Sequence, residues 1–130
     1  MSTPRTFHEA KARLASGSVT VQALAQAALA RAKEHAELNI FLELFEESAL
    51  AKAAEVDAKL AAGTAGPLAG AIISIKDNLC YAGHRVSASS KMLEGYESPF
   101  TATAVQRLLD ADAVILGRTN CDEFAMGSSN

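Results

Sequence analysis

Two short apolar runs constrain what this chain can fold into more than any other feature. Ala71-Ile72-Ile73-Ser74-Ile75-Lys76 and Ala113-Val114-Ile115-Leu116-Gly117 are apolar on both faces, the pattern of strands buried under helices rather than half-exposed to water. Between them, Thr101 or Thr103 can cap a helix that turns Val105, Leu108 and Leu109 inward. A strand, a crossover containing a helix and a second strand imply an α/β architecture, with the first run as a central strand that carries Lys76 at its C-terminal end.

The segment before Gly63 reads differently, because its apolar content is mostly alanine, a strong helix former. Thr3-Pro4 offers a hydroxyl cap followed by a first-turn proline, and Phe7, Ala10 and Leu14 recur at helical spacing until Ser16-Gly17. A second helix is predicted from about Thr20 to about Ala36, with Val21, Leu24, Ala28 and Ala32 on one stripe and Arg31, Lys33 and Glu34 toward solvent. The strand formers of residues 39–45 precede a long Ala/Glu/Lys helix from Glu46 to Ala62 that stops at Gly63, and Gly63 to Pro67 is turn chemistry.

At 130 residues, 49% hydrophobic and 21% charged, the chain fits one modest packed core. A net charge of -3 without a Lys/Arg cluster argues against direct nucleic-acid binding, which needs a concentrated basic face. No apolar stretch approaches the roughly 20 residues that cross a bilayer, and the first residues lack the apolar core of a signal peptide, so a cytoplasmic location is expected. Cys80 and Cys121 have neither CxxC spacing nor a histidine pattern, which favours two reduced, packed thiols over metal or a disulfide.

Most motifs that carry chemistry are absent: no GxSxG, no GxxxxGK[ST] and no GxGxxG occurs, and His8, His35 and His84 read as surface histidines. Lys76 stands apart because open α/β sheets place ligand sites at the C-terminal ends of their strands. A lysine taken out of water can lose its proton, and the neutral amine can act as a general base toward a serine hydroxyl. The alternative is a packed stem whose ammonium pairs with Asp77 or another carboxylate at the rim. Asp77-Asn78 suits a turn that holds the lysine, and Ser87, Ser89, Ser90 and Lys91 form a polar loop able to line a site or simply to be solvated. Met126-Gly127-Ser128-Ser129-Asn130 can offer backbone N–H groups to a substrate carbonyl or carboxylate, or be an ordinary frayed terminus.

Taken in order, Gly66-Pro67-Leu68-Ala69-Gly70, Ile73-Ser74-Ile75-Lys76-Asp77-Asn78, Ala88-Ser89-Ser90-Lys91-Met92-Leu93, Ala113 to Asn120 and Asp122 to Ser129 resemble the opening of the amidase signature family, within it most nearly the glutamine-hydrolysing subunits of tRNA-dependent amidotransferases. The likeness is strong over the second half and one of layout over the first. Cys121 and Ala71 depart from the residues more usual there.

The resemblance implies N-terminal helices followed by part of a mixed central β-sheet flanked by helices, within the N-terminal portion of a single amidase domain: residues 1–65 mainly helical, residues 66–130 the start of the core sheet. It implies that Lys76 is the lysine of a Ser-cisSer-Lys catalytic group whose serines lie in a signature beyond Asn130, and that Met126, Gly127 and Ser128 form part of a glutamine pocket. Such a piece alone would be inactive, and its uncovered apolar sheet would leave it marginally stable or self-associating. The implied partners are amidotransferase subunits B and C, with tRNA met only through a partner; ATP and magnesium serve the whole complex, and this segment binds no cofactor or metal. Two rival readings stay open: another amidase-signature hydrolase of small amides, and a non-catalytic interaction domain.

Overall fold

The computed structural model describes residues 4–127, which form four α-helices and a three-stranded sheet. In chain order these are α1 (Phe7–Ala15), α2 (Val21–Glu34), β1 (Phe41–Leu44), α3 (Glu46–Ala62), β2 (Ile72–Lys76), α4 (Thr103–Asp110) and β3 (Val114–Thr119). The strand order is β1-β3-β2, with β3 antiparallel to β1 and parallel to β2, so the sheet is mixed. The expected α/β class and the parallel crossover through α4 are both present.

The position of β2 differs from expectation. The last strand, β3, takes the centre, and residues Val114 to Leu116 are buried, whereas β2 forms an edge among the described residues, with Ser74 and Lys76 exposed. Both runs have the composition of central strands, and composition does not say which neighbour each one finds.

Helices cover both faces of the sheet. On one, Val21 and Ala25 of α2 and Ala49, Ala53 and Val56 of α3 meet Val114, with Leu14, Leu50 and Ile72 packed around them. Alanine on facing helices permits close approach at little side-chain entropy cost, which is how an alanine-rich segment builds a core. On the other face Ile75, Ile115 and Phe45 pack with Val105, backed by Leu108 and Leu109 of α4.

The helix ends explain several boundaries. Thr6 caps α1 by accepting from the Glu9 N–H at 3.1 Å; the cap expected at Thr3 lies outside the described residues. Thr20 caps α2 as expected, and Asp57 of α3 adds a second cap, accepting from the Val21 and Gln22 N–H groups at 2.7 and 3.0 Å. This cap from a neighbouring helix has no local signature. The stripe of α2 also shifts: Ala25 and Leu29 are buried with Val21 and Leu24, while Ala28 and Ala32 are only half-buried. The helix stops at Glu34, short of Ala36. Neither Thr101 nor Thr103 caps α4; Ala102 holds that position, and the Thr101 hydroxyl accepts from the Ala82 N–H at 3.1 Å.

Asp112, buried in a left-handed turn ahead of β3, ties the first half of the chain to the second. Its carboxylate accepts from Lys59 Nζ (2.7 Å), Lys52 Nζ (3.2 Å) and the Gly66 N–H (2.7 Å). Gly66 is required there, because a side-chain Cβ would lie 2.7 Å from the Ala111 carbonyl oxygen. Burial works to raise the Asp112 carboxyl, but the Lys59, Gly66 and Lys52 contacts outweigh it and hold the group down to about 2.

Two measurements test this account. A carboxyl titrating lower in the folded chain than in the unfolded one stabilises the fold above the ordinary carboxylate range and loses that effect as pH falls through the folded value. Acid titration of unfolding should therefore show on the order of 1–2 kcal/mol disappearing between about pH 4 and pH 2, and Asp112→Asn should flatten that part of the profile. Second, Gly117→Ala would place a Cβ 2.4 Å from the Glu43 carbonyl oxygen across the β1–β3 pairing; urea unfolding should register a loss of about 1–3 kcal/mol.

Candidate active site

Lys76 ends β2 opposite Thr119 at the end of β3, at the C-terminal edge of the parallel pair. The strand stops because the backbone turns at once: the Leu79 N–H donates to the Lys76 carbonyl at 2.9 Å, and the Asp77 N–H donates to the Thr119 carbonyl at 3.1 Å. The side chain is 44% exposed, and its Nζ lies 4.0 Å from Asp122 Oδ1. Asp77 is not its partner, and the described residues do not remove Lys76 from water.

Asp77 is occupied elsewhere. It is fully buried, and its carboxylate accepts from the Arg118 guanidinium (2.6 Å), the Ser87 hydroxyl (2.6 Å), the Ser87 N–H (3.1 Å) and the Ser89 N–H (2.8 Å). Burial works to raise this carboxyl, but the Ser87 hydroxyl, the Ser89 N–H, the Arg118 guanidinium and the Ser87 N–H together hold it below the usual carboxylate range. Arg118, one residue before the end of β3, also reaches Glu43 of β1 at 3.1 Å. One ion-pair network thus joins all three strands to the loop of residues 87–90.

That loop is tightly built. Ala88 and Ser89 both adopt left-handed backbone, with φ of 47° and 52°, each at a cost of order 1 kcal/mol. Contacts at both ends offset it: the Ala88 N–H donates to the Asp77 carbonyl at 2.8 Å, and the Phe124 N–H donates to the Ala88 carbonyl at 2.9 Å. The Ser89 hydroxyl meets Asn120 Oδ1 (3.2 Å) and the Cys121 thiol (3.3 Å), and the Ser90 hydroxyl donates to Glu123 at 2.7 Å. The polar loop is therefore a docking element between the end of β2 and the segment after β3.

Of the sequence-predicted site residues, Lys76 and Gly127 come together through Asp122, whose Oδ1 faces Lys76 and whose Oδ2 accepts from the Gly127 N–H. Gly127 packs so close that a Cβ would sit 3.0 Å from Asp122 Cβ. Met126 is 82% exposed, and Ser128 lies outside the described residues. Beside the loop, a cleft of about 310 Å³ with mixed walls is lined by Ser87, Ser89, Lys91 and Arg118 together with Leu42 and Leu93, among others. A larger apolar groove between α1, α2 and β2 lies away from Lys76.

Sequence reasoning missed Arg118, Asp122 and Glu123 as partners. A charged residue at the end of an apolar strand, like Lys76 itself, was the available signal for Arg118. His84 is also not a plain surface histidine: it stacks on Tyr81 at 3.9 Å, and its ring nitrogens meet Ser48 Oγ and the Ala82 carbonyl, each at 2.9 Å. His8 and His35 are exposed, Cys121 is buried, Cys80 is half-buried, and both thiols are free. Among the described residues no cluster of metal-ligating side chains occurs, and no helix is long and apolar enough to cross a membrane.

The lysine at the strand edge, the docked serine loop and the segment after β3 define the opening of an amidase fold, and the family profile described as Amidase matches residues 23–130: the chain belongs to the amidase family. It is 55% identical over 122 residues to the A subunit of glutamyl-tRNA(Gln) amidotransferase from Bordetella petrii, covering 94% of this chain and 24% of that protein. The corresponding protein of Ralstonia nicotianae is 51% identical over 128 residues, covering 98% of this chain and 26% of the relative. Among solved structures, native peptide amidase from Stenotrophomonas maltophilia superposes with a TM-score of 0.86 at 36% identity, over 92% of this chain and 25% of that one. The chain spans about a quarter of the length of the relatives it matches.

Because it removes the buried acceptor shared by Arg118, Ser87 and Ser89 and leaves Arg118 with Glu43 alone, Asp77→Ala is expected to lower stability by about 3–5 kcal/mol, read from the urea midpoint. Asp77→Asn should cost less, since its amide oxygen can still accept from Ser87 and Ser89.

Proposed function

We propose that this chain is the lysine-bearing N-terminal portion of the glutamine-hydrolysing subunit of a glutamyl-tRNA(Gln) amidotransferase. The observation that carries the reading is the 55% identity to such a protein over 94% of the chain. The position of Lys76 at the C-terminal edge of the parallel strands supports it.

In this reading the neutral Lys76 amine accepts a proton through a bridging serine and so activates a nucleophilic serine, both supplied by chain beyond Asn130. The nucleophile attacks the side-chain amide of glutamine, the acyl-enzyme forms, and the proton returns to the leaving group as ammonia departs. Further chain or bound substrate must exclude water from Lys76, since its surroundings among residues 4–127 leave it partly solvated. Met126, Gly127 and Ser128 would contribute to the glutamine pocket. This portion alone would not catalyse, and residues 1–130 would belong to one amidase domain.

The ammonia would pass to the B partner, where ATP-activated Glu-tRNA(Gln) becomes Gln-tRNA(Gln), with the C partner fastening the pair in the cytoplasm. ATP and magnesium would belong to that partner step. A simple amide hydrolase is the second reading, favoured by the 36% identity to a peptide amidase.

Glutaminase activity of the full-length protein co-expressed with its two partners separates these. Lys76→Ala should reduce ammonia release by at least about 10³-fold, and wild-type activity should rise with ATP and misacylated tRNA. Activity indifferent to ATP and tRNA would favour the hydrolase, and activity that survives Lys76→Ala would remove Lys76 from the mechanism.

A further inference from the structure

We infer that Asp122 is a positioning residue for Lys76, a carboxylate that stabilises the ammonium formed when Lys76 takes up a proton and at the same time anchors the Met126–Gly127 turn. The inference rests on the reading of Lys76 as the base.

Three observations carry it. Asp122 Oδ1 lies 4.0 Å from Lys76 Nζ, and Asp122 is the acidic residue within ion-pair distance of that ammonium among the described residues. Its other oxygen accepts from the Gly127 N–H, so the carboxylate bridges the lysine to the turn that follows. Its backbone is fixed as well, since the Ala125 N–H donates to the Asp122 carbonyl at 2.8 Å and the Asp122 side chain is only 17% exposed. The next residue, Glu123, is held by the Ser90 hydroxyl, which locks this segment onto the docked loop.

The chemistry follows from charge. When Lys76 accepts one proton from a hydroxyl, a cation appears on Nζ, and a fixed anion at 4.0 Å lowers the energy of that state. The proton later leaves with the ammonia, so the carboxylate itself neither gains nor loses one. A carboxylate beside a proton acceptor plays the same part in the serine triads, where it stabilises the charged base without being protonated.

The test compares Asp122→Asn and Asp122→Glu in the full-length protein with its two partners, following kcat and KM of glutamine hydrolysis. Asp122→Asn can still accept from Gly127 but loses the charge. It is expected to lower kcat by about 10- to 100-fold with KM changed less than about 3-fold. Asp122→Glu, which keeps the charge, should recover most of that loss. A kcat unchanged in Asp122→Asn, or a loss that Asp122→Glu does not recover, with Lys76→Ala inactive, would overturn the role of Asp122 and leave Lys76 as the base. Activity that survives Lys76→Ala would overturn the underlying reading, and the inference with it.

Discussion

Everything at the C-terminal edge of the sheet depends on the buried pair of Asp77 and Arg118. A fully buried carboxylate is tolerated only if its oxygens are satisfied and its charge is met, and here four donors converge on it. Because those donors come from the loop after β2 and from β3, and because Arg118 continues to Glu43, the pair fixes strand ends and loop as one unit. Lys76 is presented by that unit: it precedes Asp77, and its orientation is set by a residue that is not its partner. The same holds for the segment carrying Asp122, which docks on the loop through Ala88, Ser89 and Ser90.

The architecture was legible where the signal is local. The long alanine-rich helix from Glu46 to Ala62 and its stop at Gly63 followed from propensity and a left-handed cap, and the two strands of the parallel pair followed from apolar runs, although only β3 is buried along its length. What could not be read was assigned by partners distant in sequence. The order of strands placed β2 at an edge; Asp57 capped a helix other than its own; Thr101 spent its hydroxyl on Ala82 instead of on α4.

The site shows the same division. Lys76 is conspicuous as a polar residue at the end of an apolar strand, whereas its link to Gly127 was hidden because Asp122 looks like an ordinary loop carboxylate. The pairing that adjacency suggests for Lys76, with Asp77, fails because neighbours along a strand point to opposite faces. Asp77 turns into the protein and Lys76 outward, so sequence adjacency argued for the wrong carboxylate.

The central position of β3 also bears on how the fold comes into being. Among the described residues, strands β1 and β2 each pair only with β3, which is the last of the three to leave the ribosome. Neither strand has a ladder partner until then, so the sheet closes late through long-range pairings, while α2 and α3, neighbours along the chain, can bury their alanines against each other early. During synthesis the segment bearing Lys76 is therefore an isoleucine-rich stretch without its β3 partner until β3 has emerged, a condition that favours wrong association or chaperone capture.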